Sequence, residues 1–176
     1  MSQLKVDSIV PRGGLPSGAV GGGIIQVVQK KITAMSTYNG TGYDNISGYS
    51  LSITPQSSSS KILVMFNINC GSNNNGNRIL FRVSRTGSDT EFVGDASSNR
   101  SRSSAQMAVS NPQDCRSHHI SYISSPATTS SITYQLQARL QVGGGSNVSF
   151  GRSGTNSDNA IEGRSPQSII LMEITG

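Results

Sequence analysis

Few side chains in this chain have types and spacing that could do chemistry. The nine carboxylates are scattered. Asp89 and Glu91, two residues apart, would share one face of a strand, and a glycosidase needs two carboxylates close together as its acid and its base or nucleophile. Sugar-cleaving sites also need platforms for the rings, and only 5% of residues here are aromatic, with no Trp. The two histidines, His118 and His119, are adjacent. Neighbours in a strand point to opposite faces, so one subunit cannot chelate a metal with both. A threefold axis could gather three copies of one imidazole, but a polar strand position is the simpler reading. Cys70 and Cys115 are too far apart for a CxxC motif. Phosphate-binding, serine-nucleophile, zinc-protease and EF-hand signatures are all missing. The expectation is a protein that is not an enzyme, with no catalytic residue, metal or cofactor.

Charge and composition narrow the partners. Fourteen basic residues against nine acidic give a net charge of +5, spread along the chain. That excess favours an acidic partner surface. It lacks the basic stripe with interleaved aromatics that nucleic-acid binders show, so no nucleic-acid partner is expected. Arg100 and Arg102, amid serines, read as a solvated loop. The longest apolar run, Ile62 to Phe66, is far short of the roughly 18–20 residues that span a bilayer, so no membrane insertion is expected. The N-terminus shows no signal-peptide pattern, from which synthesis in a reducing compartment and free thiols follow as expectations. On the same ground the sequons at Asn45 and Asn147 carry no meaning.

The elements that must position these residues are short strands. Ser, Asn, Thr and Gly together fill 76 of 176 positions, which disfavours a helical bundle and supplies turns. Residues 1–23 differ from the rest: Leu4, Val6 and Ile9 alternate, then Pro and Gly break any regular element. This stretch reads as an extended docking arm, and 24–176 as one domain. Within that domain, Ile62, Val64, Phe66 and Ile68 alternate with Lys61, Leu63, Met65, Asn67 and Asn69. Asn73 to Gly76 reads as a hairpin-type loop into Ile79, Phe81 and Val83. Residues 132–141 alternate most cleanly, as in a sheet with one wet face. The last strand is apolar on both faces, with Ile169 and Leu171 set against Ile170, Met172 and Ile174. It must lie centrally in a sandwich or pack against another subunit. The expected fold is all-β, an antiparallel jelly-roll sandwich, homotrimeric, with Ile170, Met172 and Ile174 at the trimer interface.

Several segments carry a resemblance. Leu4-Lys-Val-Asp7-Ser-Ile9 resembles the N-terminal arm of tailed-phage tail-fibre and related virion proteins, those of cyanophages and pelagiphages above all. The body is similar to the small β-domain of the same proteins. The matching pieces are Gly23-Ile-Ile-Gln-Val-Val28, Ser52-Ile-Thr-Pro55, Lys61-Ile-Leu-Val64, Ser125-Pro-Ala-Thr-Thr129 and Leu171-Met-Glu-Ile174. Ile123-Ser-Ser-Pro126 stands where these proteins usually have Leu-Asp-Ser-Pro. The resemblance implies a C1q/TNF-like jelly roll built into a virion and made in the host cytoplasm, and it brings no catalytic residues. Its partners would be other copies of itself and other phage virion proteins, such as a tail adaptor, a nozzle or the capsid. A length of 176 residues suits a short tail fibre or appendage docked through Leu4, Val6 and Ile9 by strand addition. Two alternatives stand beside it: a capsid decoration (head) protein, and a lectin-like module reading host surface glycan through Asn73–Asn77, Arg100 and Arg102.

Overall fold

The computed structural model describes residues 23–141, 143–157, 160 and 162–175. The expected docking residues Leu4, Val6 and Ile9 lie outside this set. Ten strands and no helix make up the described chain: β1 (Ile24–Ile32), β2 (Ser36–Tyr38), β3 (Asp44–Ile53), β4 (Lys61–Ser72), β5 (Arg78–Arg85), β6 (Ala105–Ala108), β7 (Arg116–Ser124), β8 (Ile132–Leu140), β9 (Val148–Phe150) and β10 (Gln167–Ile174).

All pairings are antiparallel and fall into two sheets. In the first, β4 bonds β7 along one edge. Along its other edge it bonds β10 through residues 61–67 and β9 through 70–72. β1 flanks β10 and β2 flanks β9, so β1–β2 and β9–β10 behave as two broken strands. The second sheet runs β3-β8-β5-β6. Counting each broken strand once, the first and last strands are neighbours, and successive strands switch sheets at every step except β5 to β6, which pair with each other, as two wound Greek keys require. This is the jelly roll.

The alternation seen in the sequence explains the core. Ile62, Val64, Phe66 and Ile68 of β4 face inward with Ile169 and Leu171 of β10 and Ile120 of β7, all essentially without exposure. Ile79, Phe81, Val83, Tyr134, Leu136 and Leu140 meet them from the second sheet. A chain of rings crosses between the layers, with centroids 5.0 Å apart for Tyr49–Phe150, 6.2 Å for Phe150–Phe81 and 5.5 Å for Phe81–His118. Burial pushes the Tyr49 hydroxyl up to about 12. That hydroxyl accepts from Gln167 Nε2 at 2.5 Å, and Gln167 Oε1 accepts from the Asn69 amide at 3.2 Å. These bonds give the buried Tyr49 and Gln167 side chains their partners.

Two expectations are corrected here. Asn73–Gly76 does not close a hairpin: β4 and β5 lie in different sheets, so the loop carries the chain across the sandwich. Asp89 and Glu91 do not share a strand face, because the 86–104 stretch is a loop between β5 and β6. The loops at the far end of β4 close tightly over it. A Cβ on Gly154 would stand 2.0 Å from the Ser72 carbonyl oxygen, and one on Gly71 would stand 2.4 Å from that of Asp114.

β10 is central, as one of its two expected placements requires, with β1 and β4 on either side. Its inner face also carries a carboxylate, Glu173, with no exposure. Glu173 Oε1 accepts from the Gln56 amide at 2.7 Å. With the Gln26 side-chain amide oriented to donate, its nitrogen reaches Glu173 Oε2 at 3.1 Å and the Thr54 carbonyl at 3.2 Å. One side chain thus ties β10 to β1 and to the β3–β4 turn. Glu173→Ala strips two donors of their acceptor and is expected to cost about 1–3 kcal/mol in urea unfolding.

Candidate functional site

The cross-strand register decides what the outer face of the first sheet presents. Side chains pointing away from the core line up in rows. Val27, Met172, Leu63 and Ile123 form one row across all four strands, from β1 through β10 and β4 to β7. The next row is Gln29, Ile170, Met65 and Ser121, and the one after it is Lys31, Ser168, Asn67 and His119. Beyond the apolar row, Ile24 stands opposite Ile174 where a bulge shifts the β1 register, and Ile174 stands opposite Lys61. The face is therefore apolar over one half and polar over the other.

Exposure makes this unusual. Ile24 is 58% exposed, Val27 55% and Ile123 50%. The inner neighbours Leu63, Met65, Ile170, Met172 and Ile174 are half-buried by the flanking strands alone. Scattered exposed aliphatics are ordinary, whereas a contiguous row bounded by polar groups is the anatomy of an interaction surface. Ile170, Met172 and Ile174, expected at an interface from two-sided apolarity, do lie together on this face. The row partners Val27, Leu63 and Ile123 escaped notice, because each sits in a strand that reads as ordinary until its register is known.

The polar half is tied up internally. Asn67 Nδ2 donates to Ser168 Oγ at 3.0 Å, and its Oδ1 lies 2.5 Å from His119 Nδ1. Asn69 Oδ1 accepts from Ser117 Oγ at 2.5 Å, and its amide nitrogen donates to the Pro166 carbonyl at 2.8 Å. The two histidines point to opposite faces, with His118 beside Phe81 and His119 outward.

Several of the other candidate residues have structural employment. Glu91 accepts from Arg85 at 2.8 Å and from Ser124 Oγ at 2.7 Å, and so anchors the 86–104 loop to both sheets. Phe92 stacks on Tyr122 at 4.6 Å, sealing the same edge. Asp89 lies apart, beside Thr86, Gln135 and Gln137. Of the Asn73–Asn77 loop offered as a glycan reader, Asn73 donates to the Gly145 carbonyl and Asn74 to Ser146 Oγ, which fastens one turn to another. Arg102 donates to the Gly94 carbonyl within its own loop. Both cysteines are free thiols, Cys70 buried and Cys115 exposed.

No protein-family model matches the chain, and no curated protein matches it. Among solved structures, the fold is similar to a chain in "Structure of infectious bursal disease virus Gx strain", with a TM-score of 0.38 and 10% sequence identity. The match covers 86% of this chain and 40% of that one, so this chain spans under half of that neighbour's length.

Two expectations follow from these environments. Burial, and then the charge of Arg116, pull His118 below the ordinary imidazole value. The folded protein thus favours the neutral ring. That contribution is complete above the unfolded-state value of about 6.5 and declines as pH falls through it. Urea unfolding at pH 7.5 and pH 5 should show a smaller acid loss in His118→Leu than in the wild type. A thiol reagent should modify Cys115 in the folded protein and Cys70 only after unfolding, because burial raises the Cys70 thiol far above its usual value.

Proposed function

We propose that this chain is a non-enzymatic structural protein of a bacteriophage virion, a short tail fibre or appendage. In this reading it docks through residues 1–23 and assembles as a homotrimer through the outer face of its first sheet. The observation that carries the reading is the apolar row Val27–Met172–Leu63–Ile123 running across four strands, with Val27 and Ile123 at its ends left exposed by the described residues. Such a row in contact with water favours association, at roughly 25 cal/mol for each Å² of apolar surface covered. Polar groups at its border (Lys61, Gln29, Asn67 and His119) fit the rim of an interface.

The occupant proposed for this face is further copies of the same chain. A threefold contact is heterologous and closes into a ring, which gives a finite projecting assembly rather than a filament. Three of the segments that resemble phage fibre domains, Gly23–Val28, Lys61–Val64 and Leu171–Ile174, fall on β1, β4 and β10, which are neighbours on this face. Gly23 leads into β1 at its apolar end, where its amide donates to Thr175 Oγ1 at 2.9 Å. The docking arm would therefore leave the body beside the threefold contact.

Light scattering on the full chain tests this. The expected mass is that of three chains, falling to one chain in Met172→Asp and in Ile170→Asp. Both side chains are half-exposed in the single subunit, so thermal unfolding should still be cooperative. A chain beginning at Gly21 should stay trimeric. A monomeric wild type, or an aspartate variant that remains a trimer, removes this face from the assembly.

A further inference from the structure

The outer face of the second sheet has a different chemistry. Arg78, Leu80 and Arg82 alternate along β5, with Gln137, Arg139 and Gln141 beside them and Gln106 on the other flank. The 99–102 segment lies over this face and is fastened to it. Arg139 donates to Ser101 Oγ at 2.5 Å, and the Tyr43 hydroxyl donates to the Arg102 carbonyl at 2.8 Å. Arg82 covers the Tyr43 ring at 4.2 Å and donates to Gln137 Oε1 at 2.7 Å. Tyr43, Arg82 and Arg139 are therefore occupied in holding the loop.

Between that loop and the strands runs an open groove of about 670 Å³, lined by Arg78, Leu80, Asn99, Arg100, Gln106 and Gln141, with Ser101 at its wall. Its two cations are underused. Arg100 makes no side-chain hydrogen bond or ion pair among the described residues, and Arg78 has one long contact, 3.5 Å to Gln141 Oε1. Both ion pairs among the described residues lie elsewhere, at Arg85–Glu91 and Arg116–Asp114. Asp89 lies away from the groove, beside Arg85 at the far end of the strands.

We infer that this groove binds a short saccharide bearing carboxylate or sulfate groups. Two guanidinium forks on opposite walls suit planar or tetrahedral oxyanions. The amides of Asn99, Gln106 and Gln141 offer both donors and acceptors to hydroxyls, and Leu80 gives the apolar face of a sugar ring a floor. The volume is that of a small-ligand site. A nucleic acid is disfavoured because no aromatic ring lines the groove for base stacking, and the Tyr43 face is already under Arg82. The scarcity of aromatics that argues against neutral-sugar affinity has no such force when charge-assisted hydrogen bonds supply the attraction. The inference is independent of the assembly reading, which concerns the other sheet.

Calorimetric titration of the full chain tests it with four probes: an alginate hexasaccharide, a heparin-derived hexasaccharide, maltohexaose and a thymidine hexanucleotide. One or both acidic saccharides should bind, and maltohexaose should not. Arg78→Gln and Arg100→Gln should each weaken binding roughly tenfold, the usual scale for a hydrogen bond to a charged group. Unfolding temperature should not change, since both side chains are exposed. The inference is overturned by no binding of either acidic saccharide, by equal binding of maltohexaose, by tighter binding of the hexanucleotide, or by unchanged affinity in both variants.

Discussion

Everything in this structure depends on the register of β4. It is bonded along both edges, to β7 on one side and to β10 and β9 on the other. Its inner side chains Ile62, Val64, Phe66 and Ile68 supply the middle of the core. A slip of one residue would send Leu63, Met65, Asn67 and Asn69 inward. Two of those are aliphatic and would be tolerated, but two are amides whose burial without partners costs roughly 1–3 kcal/mol each. The asparagines therefore pin the register against the weaker preference of the apolar half. The loops at the far end pin it again, because a one-residue slip would put a side chain in the place of Gly71, where a Cβ would stand 2.4 Å from the Asp114 carbonyl oxygen.

That same register composes the outer face. Met172, Leu63 and Ile123 belong to strands distant in the sequence, and they form a row only because β10, β4 and β7 pair as they do. A jelly roll thus has two chemically separate exteriors bound to one interior. Here the first sheet shows water an apolar half beside a self-satisfied polar half. The second shows arginines and glutamines. The proposed assembly contact and the proposed ligand contact fall on opposite sheets, so they would not compete for surface.

The polar loops are less idle than their composition implies. Serine and asparagine at such density read as turn formers, and many are. Asn73, Asn74, Ser146 and Asn147 nevertheless knit two turns together across the end of the sandwich. Glu91 and Phe92 fold a long polar stretch back against both layers. Such contacts between residues far apart in sequence leave no local periodicity, so Asp89 and Glu91 could be mistaken for a strand pair. The Asn73–Gly76 loop could likewise be mistaken for a hairpin. Its turn chemistry is the same whether the next strand pairs with the last one or crosses to the other sheet.

Local alternation of apolar and polar residues was sufficient to mark the long strands β4, β5, β8 and β10 and the all-β sandwich class, because a strand's two faces are written directly in its period of two. The three-residue β2 is too short to show a period. The alternation also marked Ile170, Met172 and Ile174 as surplus apolar groups on a strand whose other face fills the core. Tertiary structure alone decided their company, since cross-strand neighbours are set by register and sheet order, which no local window contains. The arginines follow the same division. Their number and their spread were legible along the chain, but which of them are held by partners and which face an open groove depends on a loop folding back over a sheet.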